Sequence, residues 1–424
     1  MAMQQDRVAI LTERHARRNF WANVGDIATF SFGASLVSRY TLLPYFVSEL
    51  SDNRLLLGLI PALFSLGWLL PQLFTAPLVA SLPRRLPYIL WVTLFERLPF
   101  LALGLALGLW PGLPPWALLT IFFGCYAVHN LSAGLAATAW QDFIARVIPG
   151  NRLGVFFGLA SALGGALGVV GAWVIDWSQF NLPFPQSIGF LSLVCFAALV
   201  VSMVSLALSV EPARPPLPRE PLGPYLRGLL PLLRRDAAFR AYLLNRSAIG
   251  LAFVGHSFIT TAATARFPEA EWMLAWFTGA LLGATAVANV PLGALADRWG
   301  HRQVLELSSA IGVAALLLAI VAPTPAWYVL IFVLVGVATA GFQTTGYTLT
   351  LTFGTEAERP TYIGLANTAL APVGVIGPLV VAALADWAGY GALFAATVLV
   401  GVVGLAGMWW SRPPQKVADP VIGR

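Results

Sequence analysis

Residues 291–303 read Pro-Leu-Gly-Ala-Leu-Ala-Asp-Arg-Trp-Gly-His-Arg-Gln. The stretch lies between two long apolar segments, so a short loop at a membrane surface is expected. Its notable positions are Gly293, Leu295, Ala296, Asp297, Arg298, Gly300 and Arg302. Gly293 would let the preceding helix approach a neighbour closely. Asp297 suits the N-terminus of a nearby helix, where the macrodipole favours an anion; the expected contacts are the helix start near Thr361 to Gly364 and an arginine of its own loop. Arg298 and Arg302 can pair with carboxylates or hold lipid phosphates. Gly300 permits a tight turn between helices. The plain alternative is a basic turn that only obeys topology rules.

Composition says what surrounds this stretch. The chain of 424 residues is 58% hydrophobic and 10% charged, whereas soluble proteins carry about 25% charged residues. Its solvent is therefore a bilayer. Twelve apolar spans are read at 21–46, 55–80, 87–109, 116–143, 153–176, 186–209, 239–264, 271–295, 303–322, 326–353, 361–385 and 388–411. Most reach the roughly 20 residues that a membrane helix needs. Residues 1–20 are polar and basic, and the first apolar run is too long for a cleavable signal. They are expected to form a cytoplasmic N-terminal arm. A polar, Pro-rich stretch at 211–238 then divides a six-span bundle (21–210) from a second (239–411), with a tail at 412–424. Within the linker, Tyr225 to Arg235 is expected to form a short amphipathic helix on the cytoplasmic face.

An even number of spans puts both termini on one side. With that side cytoplasmic, twenty Lys and Arg residues fall inside and only Arg54 and Arg266 outside. The positive-inside rule then places both termini in the cytoplasm, for a multi-pass protein of the cytoplasmic (inner) membrane. The formal charge of +6 is scattered over short loops, which excludes a nucleic-acid surface. Cys125 and Cys195 lie inside apolar spans and form no disulfide framework or metal site.

The two halves carry matching fragments. Pro77-Leu78 before Arg84-Arg85 parallels Pro291-Leu292 before Arg298. Arg152 before Gly158-Leu159-Ala160 parallels Arg359 before Gly364-Leu365-Ala366, and Asp176-Trp177 parallels Asp386-Trp387. Span number, linker, repeat and the 293–302 pattern together resemble the major facilitator superfamily of transporters. The stretch 142–152, after span four, resembles the acidic-to-arginine junction often found there in the family. The resemblance implies an all-α polytopic membrane protein with twelve transmembrane helices in two pseudo-symmetric six-helix bundles. It also implies alternating access, with the 293–302 residues helping to lock one conformation. The first-half copy departs from the pattern, with Val79 for the glycine and Pro83 for the aspartate. Span five lacks the Gly-Pro pair of drug/proton antiporters; Gly377-Pro378 stands in span eleven instead.

Charged groups inside a membrane are costly and point to function. Asp26 lies about 9 Å into span one, and Arg246 at a similar depth in span seven. If spans one, four, seven and ten line a cavity as in the family, these two can face each other, for coupling, gating or a fixed ion pair. His129 in span four shares a stripe with Tyr126 and Trp140 and can change charge near physiological pH. Asp26 and His129 are the proton-coupling candidates. Tyr126, Asn130, His256, Gln343 and Tyr347 complete the expected substrate cavity. Glu96-Arg97 reads as a structural brace for span three, reaching span one through Arg39.

The expected function is a secondary transporter moving a small solute, coupled to protons. The alternative is a polytopic membrane enzyme acting on a lipid-soluble substrate. No metalloprotease or nucleotide-loop motif is present, so no cofactor, metal or catalytic residue is expected. Multidrug efflux and nutrient uptake stay open. The expected partners are the solute, its coupling proton and membrane lipids, with the chain a monomer.

Overall fold

The computed structural model describes residues 2–38, 42–51, 53–215, 218, 220–267 and 274–411. Arg39, Arg219 and the tail at 412–424 lie outside the described residues, so the expected Arg39 brace does too. Among the described residues every regular element is helical. The first half contains α1 (Ala2–Leu36), α2 (Leu42–Leu50), α3 (Arg54–Leu69), α4 (Pro71–Ser81), α5 (Leu86–Val92), α6 (Leu94–Leu109), α7 (Pro115–Val147), α8 (Leu153–Asn181) and α9 (Gln186–Ala207). The linker forms α10 (Leu222–Arg235). The second half contains α11 (Ala237–Val254), α12 (Ile259–Arg266), α13 (Leu274–Trp299), α14 (His301–Val321), α15 (Ala326–Thr350) and α16 (Arg359–Trp410).

Ten helical segments among the described residues are long and apolar enough to cross a membrane. Two departures from the expected twelve are found. Spans eleven and twelve both fall in α16, which is broken at Gly389, with φ 80° and ψ 170°. Only glycine takes that conformation without strain. The first expected span, 21–46, is divided between α1 and α2 and is not among the ten. Prolines mark the other irregularities. Pro71 and Pro115 open α4 and α7, where the missing N–H would be unpaired in any case. Pro61, Pro99, Pro372 and Pro378 sit inside helices, which membrane helices tolerate.

The 291–303 stretch is not the loop expected. Residues through Trp299 belong to α13 and residues from His301 to α14. Gly300 alone turns the chain, at φ 111°. A residue with a side chain would be strained there, so the one glycine replaces a loop.

The chain divides into two compact units. One comprises Met1–Gly150 and Leu159–Pro218; the other comprises Asn151–Gly158 and Arg219–Arg424. In the first unit α1 packs on α9, α6 on both α7 and α9, and α3 and α4 on α7. In the second, α11 packs on α16, α14 on both α15 and α16, and α13 on α15. The pairing repeats, with α11 in the place of α1, α14 of α6 and α15 of α7. Each unit has its own apolar core. Phe46, Phe100, Leu107, Phe122, Leu191 and Leu199 anchor the first. Ile259, Phe277, Leu316, Tyr328, Ile331 and Phe394 anchor the second.

Candidate functional site

In the first unit one group of buried charges gathers around a single guanidinium. Asp26 on α1, Glu96 and Arg97 on α6, and Ser202 on α9 are all buried. The Ser202 hydroxyl donates to Asp26 Oδ1 at 2.5 Å, and the Trp140 indole N–H from α7 donates to Oδ2 at 3.2 Å. Arg97 Nη2 donates to Ser202 Oγ at 3.5 Å, so the hydroxyl bridges acid and base. Arg97 Nη1 lies 3.4 Å from Glu96 Oε2. The guanidinium is held in place by main-chain acceptors, Nε on Leu199 O and Nη1 on Thr93 O, each at 2.8 Å. Arg97 therefore braces α6 against α9. Two carboxylates share a single cation, so full ionisation leaves one net negative charge inside the bundle.

His129 adjoins this cluster. Its Nδ1 lies 2.9 Å from Glu96 O. A carbonyl only accepts, so Nδ1 carries the proton. The ring packs on Phe100 and stacks on Tyr126, with centroids 4.7 and 6.4 Å away. Trp140, expected on the His129 stripe, turns to Asp26 instead. Asn130 is buried and donates to Tyr126 O of its own helix at 2.7 Å. It sits where α7 meets Gly67 of α3, because a Cβ on Gly67 would lie 2.7 Å from Asn130 Cβ.

The second unit holds Arg246, buried in α11. Its Nη1 donates to Tyr242 Oη at 2.9 Å and to Thr350 Oγ1 at 3.1 Å. The guanidinium carbon lies 5.9 Å from the Phe342 ring centre. The two ends of the expected Asp26–Arg246 pair are thus each engaged inside their own unit. His256 lies in a 3-10 turn, Gly255–Phe258, between α11 and α12. Its Nε2 is 3.0 Å from Gly312 O on α14, and its ring packs 4.6 Å from Phe253. Gln343 on α15 is exposed, and Tyr347 stacks on Phe157 at 5.6 Å. The α15 threonines mostly bond back to their own helix: Thr345, Thr348 and Thr350 donate to Gly341, Thr344 and Gly346 carbonyls. That is the usual fate of hydroxyls in an apolar helix.

Asp297 caps a helix, though not the one expected. The sequence predicts contacts to the start of span eleven, near Thr361 to Gly364, and to an arginine of its own loop. The carboxylate instead accepts N–H bonds from Gly154 at 2.7 Å and Val155 at 2.8 Å. These are unpaired donors in the first turn of α8. The physical reading of the anion was sound, but nothing in the sequence points to the partner helix. Gly293, one turn before Asp297, lies flat against Gly154, and a Cβ on either would overlap the carbonyl oxygen of the other. Arg302 pairs with Glu306 at 2.8 Å and reaches Met408 O. Arg298 is exposed.

In the first unit, Arg85 of the degenerate copy is buried. Its Nε donates to Asp142 Oδ2 at 2.8 Å, and Arg146 Nε donates to the same oxygen at 3.0 Å. The aspartate lost from the loop is thus replaced by one from the 142–152 junction. Glu211, where the linker begins, accepts the Arg85 and Leu86 N–H groups at 2.7 and 2.9 Å. Burial pushes the Glu211 carboxyl above its ordinary range, against the pull of those bonds and of both arginines.

Sequence also carries a family signature. Residues 259–423 match the family model described as Major Facilitator Superfamily. The match covers the second half of the chain, which is therefore similar to that superfamily. Solved structures agree on the fold. A bacterial homologue of the iron transporter ferroportin, in an outward-facing state, superposes with a TM-score of 0.73 at 16% identity, covering 93% of this chain and 100% of that one. The E. coli fucose:proton symporter FucP gives 0.73 at 16%, covering 93% and 98%. The human organic anion transporter MFSD10 gives 0.63 at 14%, covering 94% and 99%. At these identities the likeness is one of fold. No curated protein matches the chain by sequence. The ten long apolar helices fit a multi-pass membrane protein.

Proposed function

We propose that this chain is a proton-coupled secondary transporter, moving a small solute by alternating access as a monomer in the cytoplasmic membrane, with both termini in the cytoplasm. The observation that carries the coupling is the cluster of Asp26, Glu96 and Arg97 bridged by Ser202. A net charge in a low-dielectric interior is costly. One proton shared between the two carboxyls removes it, and such a pair titrates as a unit. The proton then belongs to the Asp26–Glu96 pair, with His129 as a neighbour fixed on the Glu96 backbone. The fucose:proton symporter supports this reading as an analogy of fold. The ferroportin likeness is one of fold and carries no cargo with it. Asp297 on the first turn of α8 serves as a gate on the cytoplasmic side.

The test is counterflow and gradient-driven uptake in proteoliposomes, with a solute panel screened on the wild type. In an Asp26→Asn, Glu96→Gln double variant, accumulation driven by a pH gradient should disappear while solute counterflow persists. Accumulation at the wild-type level in that variant rules out the cluster as the coupling site.

A further inference from the structure

Arg246 is a buried cation whose partners are all neutral. It sits about 14 Å into α11 and is 6% exposed. Among the described residues of its own unit no carboxylate lies within ion-pair distance of it. Those carboxylates are engaged elsewhere or stand at the surface. Asp236 takes the Phe239 N–H and the Tyr362 hydroxyl, Asp297 the start of α8, Glu306 takes Arg302, and Glu358 takes Arg235. A buried charge left without a counter-ion is expensive, so this one has a use.

The geometry shows which part is free. Both hydrogen bonds leave from Nη1, to Tyr242 and Thr350. Nε is buried and has no hydrogen-bond partner, and no described residue accepts from Nη2. The Nε–Nη2 edge is one of the two-donor edges with which arginine grips a carboxylate through parallel bonds. The other atoms are immobilised. Tyr242 itself is fixed by the Gly346 carbonyl at 3.3 Å and Thr350 at 2.9 Å, and Phe342 lies against the guanidinium. Gly346 provides the room, since a Cβ there would come within 2.6 Å of Nη2. A preorganised fork beside an aromatic ring, with its donor edge unused, fits an anion with an apolar body.

We propose that the Nε–Nη2 edge of Arg246 binds the carboxylate of a small organic anion, and that this anion is the transported solute. The solute thus supplies the counter-charge the protein leaves out. This rests on the transport reading above and names its substrate class.

The test uses the purified full chain in detergent and low-chloride buffer. The probes are acetate, pyruvate, succinate and benzoate, each against its neutral amide, with chloride and inorganic phosphate as further arms. The readout is the shift of the unfolding midpoint with concentration. At least one carboxylate should raise the midpoint where its amide does not. Arg246→Gln should weaken that binding by about tenfold or more, the weight of one charge-assisted hydrogen bond. Arg246→Lys keeps the charge without the fork, and Gly346→Ala displaces the guanidinium; both should weaken it while preserving a buried cation, which covers the case of an unstable Gln variant. The proposal is overturned if no carboxylate stabilises the protein, if amides do so equally, or if the variants bind as the wild type does. It is also overturned if chloride or phosphate matches the carboxylates, which would mark a bare inorganic-anion site. No gradient is involved, so a negative result leaves proton-driven transport standing. Conversely, loss of the coupling reading leaves this binding untouched.

Discussion

At the scale of single residues, the first unit shows how much can hang on one hydroxyl. Ser202 donates to Asp26 and receives from Arg97. Removing it leaves a carboxylate oxygen and a guanidinium nitrogen without their shared partner in a buried place. Such an orphaned pair costs on the order of 1–3 kcal/mol. Ser202→Ala should therefore lower the unfolding midpoint, and Ser202→Thr should recover most of the loss. A Ser202→Ala midpoint equal to wild type would mean that the bridge contributes nothing. Asp26 was conspicuous in the sequence because charge inside an apolar run is rare. Its partners were not. Ser202 is one of several serines in an apolar span, and Glu96-Arg97 stood alone until α6 and α9 packed together. A residue with an obvious cost is legible in a sequence; the residue that offsets it, far along the chain, is not.

At the scale of elements, the linker helix gives a pH-dependent contact. α10 ends at Arg235, which pairs with Glu358 at 2.7 Å just before α16. Partial burial disfavours the charged Glu358 carboxyl, but the Arg235 guanidinium and the Thr355 N–H and hydroxyl outweigh it and hold the carboxyl below its ordinary range. A depressed carboxylate contributes stability above its unfolded value near 4.5, and that contribution is lost as pH falls through the folded value. Hydrogen exchange should then show faster opening of α10 in Arg235→Ala than in wild type at pH 7, with the difference vanishing once Glu358 is protonated. A difference that persists unchanged into acid would assign the effect to lost packing of the arginine stem. Here the sequence did well: the expected amphipathic helix at Tyr225 to Arg235 is present, starting three residues earlier at Leu222. Proline-rich sequence before it and basic residues at its end are local signals. The turn at Gly300 was less legible, because a single glycine at positive φ does the work of a loop and apolar periodicity cannot show that.

At the scale of the whole molecule, Asp297 tests alternating access. Asp297→Asn removes the charge from the first turn of α8 and one of two accepted N–H bonds. Capping changes of this kind cost about 0.5–2 kcal/mol, and 1.4 kcal/mol is a tenfold change in a two-state ratio. The variant should shift the balance between inward- and outward-facing states toward the inward one by about tenfold while remaining folded. Spin labels at Arg84 and Arg298, both exposed, read that balance. A ratio within about twofold of wild type would deny Asp297 a part in gating. Fold class was readable from the apolar spans, and the 293–302 pattern points to the superfamily whose model matches residues 259–423. The helix that Asp297 meets was not, since Gly154 lies 143 positions away.

The approach of Gly293 to Gly154 bears on how such a gate can move. The main chains of α13 and α8 touch there without intervening side chains, and the same holds one turn along, where Gly158 meets the Asn289 carbonyl. Side chains at a sliding surface yield by rotating, which gives a graded series of intermediate fits. Peptide planes have no such freedom; their tolerance is set by bond lengths and angles. A gate built on this junction would be digital: seated to within a fraction of an ångström, with Asp297 reaching both N–H groups, or lifted off altogether.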